Sequence, residues 1–472
     1  MSIFKACDIR GKYGEDITEP IMRNIGRAMA TLLLRAHHGD LEKPSILVSG
    51  DCRTSTPALK EALIQGVLTT GVDVLDIGVD IPTPVARYAF RKLLPDALAI
   101  VTASHNPPGY NGLKLQLSDR PITPEEIQRI QEIAEAEEES VHRSSADTPG
   151  VVREIDMIGP YEQWILETFA QGAAVKVVVD PGNGCYSDLA PELMSRLGFD
   201  VVKLFCRIDG RFPNRSPNSA IADNLTALCE EVQRTGAALG VAFDGDGDRV
   251  AFVDEKGRSV PYDKAVVIMA KDILTHEMVG RSPEEKKVIY EINCSQAVPD
   301  ELARIGATPL IERAGHAFIT TRMIDEKAVF GGEVSGHFFY GELGGSDDGL
   351  YSAIRMGRLL ASANEPLSEI VDGVPEYSAT PVLRLPFDAR EGHEAVQAII
   401  ACAGKEAEVI DIDGVRVHYP EGWGLVRVSI TEPVISIRFE TYRSEDLPTL
   451  VEECLRPVPH LLAEVRRSLS MT

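Results

Sequence analysis

The chain has 472 residues, 44 % of them hydrophobic and 25 % charged, and a formal net charge of −24. At the usual domain size of roughly 100–150 residues it holds several cores. Its acidic balance excludes nonspecific grip on nucleic acid or an anionic membrane, whose footprint is basic, but leaves room for a small anionic substrate in a locally basic pocket.

The opening, MSIFKACDIRGKYGED, lacks the apolar core of a signal peptide. No run reaches the ~18 apolar residues of a spanning helix. The cysteines, Cys7, Cys52, Cys185, Cys206, Cys229, Cys294, Cys402 and Cys454, are scattered without a C-x-x-C pair. They predict free thiols in a reducing cytoplasm, not a disulfide framework or zinc site.

EPIMRNIGRAMATLLLRA has helical spacing. SILVSGD, VDVLDIG and ALAIVTA are short apolar runs ending in Gly, Asp or Ser, the pattern of strands buried on both faces. Function-bearing loops then belong at the carboxyl ends of these strands, and ASHNPPGYNG follows one directly. The acidic, then Ser- and Gly-rich stretch from 135 to 150 reads as a linker. The pattern restarts with the helix MIGPYEQWILETFA, the strands VKVVVD and FDVVKLF, and LGVAFDGDGDRVAFVDEKG. A third round runs from Pro261, through the strand KVIYEI and the helix SQAVPDELARIG, to DDGLYSAIRMGRLLASANEP. The last hundred or so residues differ: strand ATPVLRLPF, helix AREGHEAVQAIIACAG, antiparallel strands in GVRVHYPEGWGLVRVSI and VISIRFETY, and helix EDLPTLVEECLR. The predicted fold class is α/β: three similar α/β domains with mixed sheets, then a C-terminal α+β domain. The boundaries expected are 1–148, 149–256, 257–369 and 370–472.

Two stretches carry chemistry. In IVTASHNPPGYNGLKLQ, Ser104 is followed by His105 and Asn106, then by Pro107, Pro108 and Gly109, which force a surface turn, and Lys114 lies ten residues beyond the serine. Taken alone, Ser104 reads more readily as a turn residue than as a nucleophile. In AFDGDGDRVAFVD, Asp244, Asp246 and Asp248 alternate with glycines. Three carboxylates so close repel unless a hard cation neutralises them, and three oxygens suit Mg²⁺ with a substrate phosphate as a further ligand. The alternatives are a solvated acidic hairpin, or an EF-hand loop with Glu255 at position twelve. The second has Arg249 where that loop needs glycine, and its flanks read as strands.

TASHNPPGYNGLK and DGDGDR, with GGEVSGH from Gly331 to His337, RVSITEP from Arg427 to Pro433, and the opening FKACDIRGKYG, resemble the α-D-phosphohexomutase family. Within it the chain is similar to the bacterial phosphomannomutase/phosphoglucomutase group. The resemblance spans nearly the whole chain. It implies four domains around a central cleft, a phosphorylated Ser104, and reversible transfer between hexose 1-phosphate and 6-phosphate. A 1,6-bisphosphate serves as intermediate and activator, and small sugar phosphates are the partners. Nucleic acid and membrane are not expected as partners; a monomer or weak homo-oligomer in the cytoplasm is.

The resemblance also assigns roles. Ser104 carries the phosphoryl group and, with Asp244, Asp246 and Asp248, holds Mg²⁺. Lys114 and His316, in RAGHAFITTRM, are the acid/base candidates, and Arg10 holds phosphate oxygens. Arg249 orients the aspartate loop and reaches the substrate. Glu333 and Ser335 bind sugar hydroxyls, O3 and O4, with His337 supporting their loop. Arg427, Ser429 and Thr431 grip the other phosphate. Two positions depart from the pattern: Cys7 stands where tyrosine commonly precedes DIRG, and Ile430 where SNTEP has asparagine. Competing readings are a phosphoglucosamine mutase, whose motifs usually run DGDAD and GGEQSGH, a metal-dependent phosphohydrolase, and a sugar-phosphate sensor.

Overall fold

The computed structural model describes residues 2–36, 44–136, 148–169, 172, 174–403, 407–428 and 434–469. Four sheets of seven, four, five and six strands follow one another along the chain. The first three mix parallel and antiparallel neighbours. The last is antiparallel throughout. This matches the predicted three α/β units and one α+β unit.

In the first sheet the strands Ser45–Gly50 and Ala97–Val101 run parallel at the centre. Every residue of Ala97–Val101 is buried, as a strand covered on both faces requires. The helix Glu19–Ala36 has the bounds its periodicity predicts. It buries Met22, Ile25, Met29 and Leu33 on one face and starts on Glu19 and ends near Arg35, which suits its dipole. The chain leaves Ala97–Val101 through the Ser104 loop and returns antiparallel as Tyr110–Leu117, with Ile100 opposite Lys114. On the other side of that return strand lies Asp8–Lys12, with Asp8 opposite Lys114. Three neighbouring strands thus bring Arg10, Ser104 and Lys114 to one end of one sheet. The strand Asp8–Lys12 is not among the expected elements.

The expected boundary at 148 falls short of a strand. Val152–Glu154 pairs in parallel with Asp73–Asp76 as the outer strand of the first sheet. All three of its residues are exposed, so no apolar alternation marks it. We place the end of the first domain after Glu154. The chain also adds a final helix, Pro459–Ser468, whose Leu461 and Val465 close the last core.

The first three units share a core. One apolar cluster runs from Leu47 through Tyr161, Phe243, Val266 and Tyr351 to Val374. The C-terminal unit has its own, from Ala395 to Val465, and meets the third unit through Ile292, Trp423 and Leu425. At that seam Arg416 stacks over Trp423, 3.7 Å from the ring centre, and donates to the carbonyls of Ile292 and Cys294. No described helix is long and apolar enough to cross a membrane. All eight cysteines are free.

Candidate active site

A cleft of about 970 Å³ receives Arg10, His105 and Asn106 from the first unit, and Arg249 from the second. His316, Glu333 and His337 come from the third and Arg427 from the fourth. Residues from all five quoted motifs therefore reach one cavity. Ser104, Lys114 and the three aspartates are buried, no more than 4 % exposed, at the inner end of this arrangement.

Ser104 sits at φ +50°, in the left-handed region that costs a non-glycine residue of order 1–3 kcal/mol. Its loop is held in that shape from below. Arg53 donates to the carbonyls of Ser104 (2.8 Å), Asn106 (2.6 Å), Pro107 (2.7 Å) and Tyr110 (3.0 Å). Its Nε donates to Asp51, 3.1 Å away. Arg10 holds the loop from the cleft side, on Ala103 O and Asn106 Oδ1. Asp51 and Arg53 lie in SGDCRT, at the carboxyl end of a buried strand. That position was the available signal for them, and sequence reasoning missed it.

Ser104 Oγ donates to Asp244 Oδ2 at 2.8 Å. The Asp244–Asp248 loop joins the antiparallel strands Leu239–Phe243 and Val250–Asp254, so the helix–loop–helix of an EF-hand is absent here. The carboxylates are buried, which rules out the solvated hairpin. Two glycines are dictated by space. A Cβ on Gly245 would lie 2.6 Å from the Ser104 carbonyl oxygen, and Gly247 has φ +80° with Tyr186 where a side chain would go. The Lys114 ammonium pairs with Asp246 Oδ2 at 2.7 Å and with Asp248 Oδ2. Thr83 also donates to Asp246 Oδ2, at 2.7 Å.

Three buried carboxylates in contact cannot all ionise freely. Burial, then the charges of Asp246 and Asp248, push Asp244 up to about 8. Burial also acts to raise Asp248, but the Lys114, Arg87 and Arg249 cations outweigh it and hold that group well below the usual carboxylate range. Asp246 Oδ1 and Asp248 Oδ1 have no hydrogen-bond partner, and one oxygen from each of the three aspartates lies within 4.8 Å of the other two. Orphaned carboxylate oxygens in an all-oxygen set are what a hard divalent cation binds, so the residues fit Mg²⁺.

His316 begins the helix His316–Glu326 behind Gly315. Burial, then the Arg87 and Lys114 cations, hold its pKa well below the ordinary value, so the ring is neutral. Glu333 accepts from the Gly315 N–H at 2.8 Å and from Ser335 Oγ at 2.7 Å, which joins the GGEVSGH turn to the start of the His316 helix. Arg249 Nε donates to His337 Nε2 at 2.8 Å and lies 3.9 Å from Asp244 Oδ2. Arg427 pairs with Asp413 at 2.8 Å. Ser429, Ile430 and Thr431 lie outside the described residues. Cys7 lines the cleft, and burial pushes its thiol up, which suits a small apolar wall and not a nucleophile.

Four family models match most of the chain. The models for phosphoglucomutase/phosphomannomutase α/β/α domains I, II and III match residues 1–141, 160–257 and 261–377. The model for the C-terminal domain matches 383–456. Phosphomannomutase/phosphoglucomutase of Pseudomonas aeruginosa is 36 % identical over 448 residues, 94 % of this chain and 93 % of that protein. The chain belongs to the phosphoglucomutase/phosphomannomutase family. Phosphoglucomutase of Neisseria gonorrhoeae, another relative, is 33 % identical over 467 residues, 98 % of each chain. A crystal structure of a family protein from Burkholderia thailandensis superposes with a TM-score of 0.86 at 33 % identity, covering 97 % of both chains. As a member of this family the chain is an isomerase of sugar phosphates.

Proposed function

We propose that the protein moves a phosphoryl group between O1 and O6 of glucose or mannose phosphates through Ser104, with a hexose 1,6-bisphosphate as intermediate and activator. The contact between Ser104 Oγ and the buried Asp244 carboxylate, at 2.8 Å, carries this reading. It sets the Ser104 hydroxyl against a carboxylate of the all-oxygen cluster Asp244, Asp246 and Asp248. Bound there by Asp244, Asp246 and Asp248, Mg²⁺ would offset charge on the transferring phosphoryl oxygens.

The residues divide the remaining work. In the first transfer the bond from Ser104 Oγ to phosphorus breaks and one from a sugar oxygen forms. His316, neutral, accepts the sugar hydroxyl's proton, and Lys114, charged between Asp246 and Asp248, supplies the proton that Oγ requires. Arg10 and Arg249 hold phosphate oxygens as forked donors. Glu333 and Ser335 hold O3 and O4, hydroxyls within reach of one site whichever end of the sugar faces the serine. Arg427, with Ser429 and Thr431, grips the phosphate that is not moving. The bisphosphate then turns, and the second transfer returns a phosphoryl group to Ser104 by the same steps reversed.

A coupled assay with glucose, mannose and glucosamine 1-phosphates reads the activity and its substrate range. Ser104→Ala is expected to lower turnover at least about 10⁴-fold, because the phosphoryl carrier is lost. Intact mass of the active protein should show one added phosphate on the Ser104 peptide. Release of inorganic phosphate in place of isomerised sugar would mark a phosphohydrolase, and an unchanged rate in Ser104→Ala would end the phosphoserine reading.

A further inference from the structure

The acid in the strand KVIYEI has no task in the phosphoryl-transfer reading. Glu291 is 2 % exposed and lies outside the residues that line the cleft. Its strand, Lys287–Glu291, runs parallel to Phe330–Gly332, with Tyr290 opposite Gly332. One step further along that register, Glu291 comes level with Glu333 at the carboxyl ends of the two strands. There its Oε2 accepts from the Val334 N–H at 3.2 Å, and its Oε1 accepts from the Asn293 side-chain amide. Val334 stands between Glu333 and Ser335, so the acid grips the GGEVSGH turn at its middle, from behind. The turn's own bonds run elsewhere, from the Glu333 N–H to the His337 carbonyl and from the Gly336 N–H to the Glu333 carbonyl.

The acid is braced in turn. The Asn293 carbonyl accepts from Arg438 Nη1 of the last unit at 2.6 Å, beside the two carbonyls that Arg416 holds. Glu291 does not act by touching substrate, since it is sealed from the cleft. Nor does its site favour a charge. Burial, then the charge of Glu333, push its pKa up to about 7, only partly offset by the Asn293 amide and the Arg427 cation. What the site uses is an oxygen that accepts from the turn.

We propose that Glu291 is a positioning residue for sugar recognition: by accepting from the Val334 N–H it fixes the turn that presents Glu333 and Ser335 to the sugar hydroxyls. The inference rests on the reading that those two residues bind O3 and O4, which the paired variant Glu333→Ala/Ser335→Ala tests by itself.

Glu291→Leu keeps most of the volume and removes the acceptor. Contacts to sugar hydroxyls serve ground and transition states alike, so their loss falls on KM. We expect KM for glucose 1-phosphate to rise about 10- to 30-fold, with kcat within about threefold of wild type. Glu291→Gln still offers an oxygen to Val334, and the Asn293 amide can turn over to accept from it, so KM stays within about threefold. With Glu333→Ala and Ser335→Ala already present, Glu291→Leu adds less than about threefold to KM, because its effect runs through those side chains. An unchanged KM in Glu291→Leu overturns the proposal. So does an equal rise in Glu291→Gln, or the same rise in both backgrounds. Should Glu291→Leu not fold, wild-type protein decides: Val334 amide exchange at least about 10²-fold slower than in an unstructured peptide supports the proposal, and unprotected exchange overturns it. If Glu333→Ala/Ser335→Ala leaves KM at the wild-type value, the sugar-binding reading falls and this proposal with it. If that pair raises KM and Glu291→Leu does not, only the role of Glu291 falls.

Discussion

Replacing Arg53 by alanine is expected to release the loop that presents Ser104. The guanidinium makes four hydrogen bonds to loop carbonyls and one to Asp51, and it lies 5.3 Å from the Phe212 ring centre. Removing one member of a buried pair costs about 3–5 kcal/mol, mostly because the partner charge is stranded. Asp51 is less stranded than that, since it still accepts from Thr56 Oγ1 at 2.6 Å, Thr102 Oγ1 at 2.7 Å and the residue-53 backbone N–H at 3.0 Å. Of the four carbonyls, that of Pro107 still accepts from the Tyr110 N–H at 3.0 Å, and the others lose the guanidinium as donor. We therefore expect a loss near the lower end, about 3 kcal/mol. Freed of its clamp, the loop can relax Ser104 out of its positive φ, and a displacement of about 1 Å costs roughly 10²-fold in rate. Urea unfolding at constant slope gives the first quantity and the coupled isomerase assay the second. A loss under about 1 kcal/mol with wild-type kcat would show that the loop holds its own shape, and would refute this reasoning.

Lys114→Met leaves Asp246 and Asp248 without their ammonium. Thermal melts in chelator should show a loss of about 3–5 kcal/mol that Mg²⁺ restores in part, whereas wild type gains less from the ion. His418 is held near 4 by burial and by Arg416 beside it. Its folded value is depressed, so its contribution to stability is full above about 6.5 and is lost as pH falls toward 4, where the unfolded chain binds the extra proton. His418→Gln should flatten that part of the urea midpoint–pH curve, and an unaltered curve would contradict the assignment. Ellman's reagent should find eight thiols in the unreduced, unfolded chain and react fast in the native protein chiefly at Cys402, the exposed one. Fewer than eight would reveal a disulfide.

How much was readable in advance followed the range of the interactions. Glu19–Ala36, Ala97–Val101 and Leu239–Phe243 were legible because apolar period and length are local properties. The Ser104 loop, the aspartate loop and the GGEVSGH turn were legible because their unusual residues sit side by side. Asp8–Lys12 was not, for its burial alternates through the mixed residues DIRGK, and Val152–Glu154 was not, for all of it is exposed. Arg53, Arg87 and Glu291 share a different obscurity. Each is an ordinary charged residue in sequence, and each acquires its meaning from a partner 43 to 260 residues away.

The separate core of the last unit has a thermodynamic consequence. Because Ala395 to Val465 bury most of their apolar surface among themselves and meet the third unit through the small Ile292–Trp423–Leu425 seam, that unit can melt while the first three, fused through one continuous interior, stay intact. Heat-capacity traces of this protein should therefore resolve two steps, and backbone amides of Gly422–Val428 should exchange with deuterium sooner than those of Ala97–Val101. A protein arranged this way can loosen the lip of its cleft without disturbing the serine at its base.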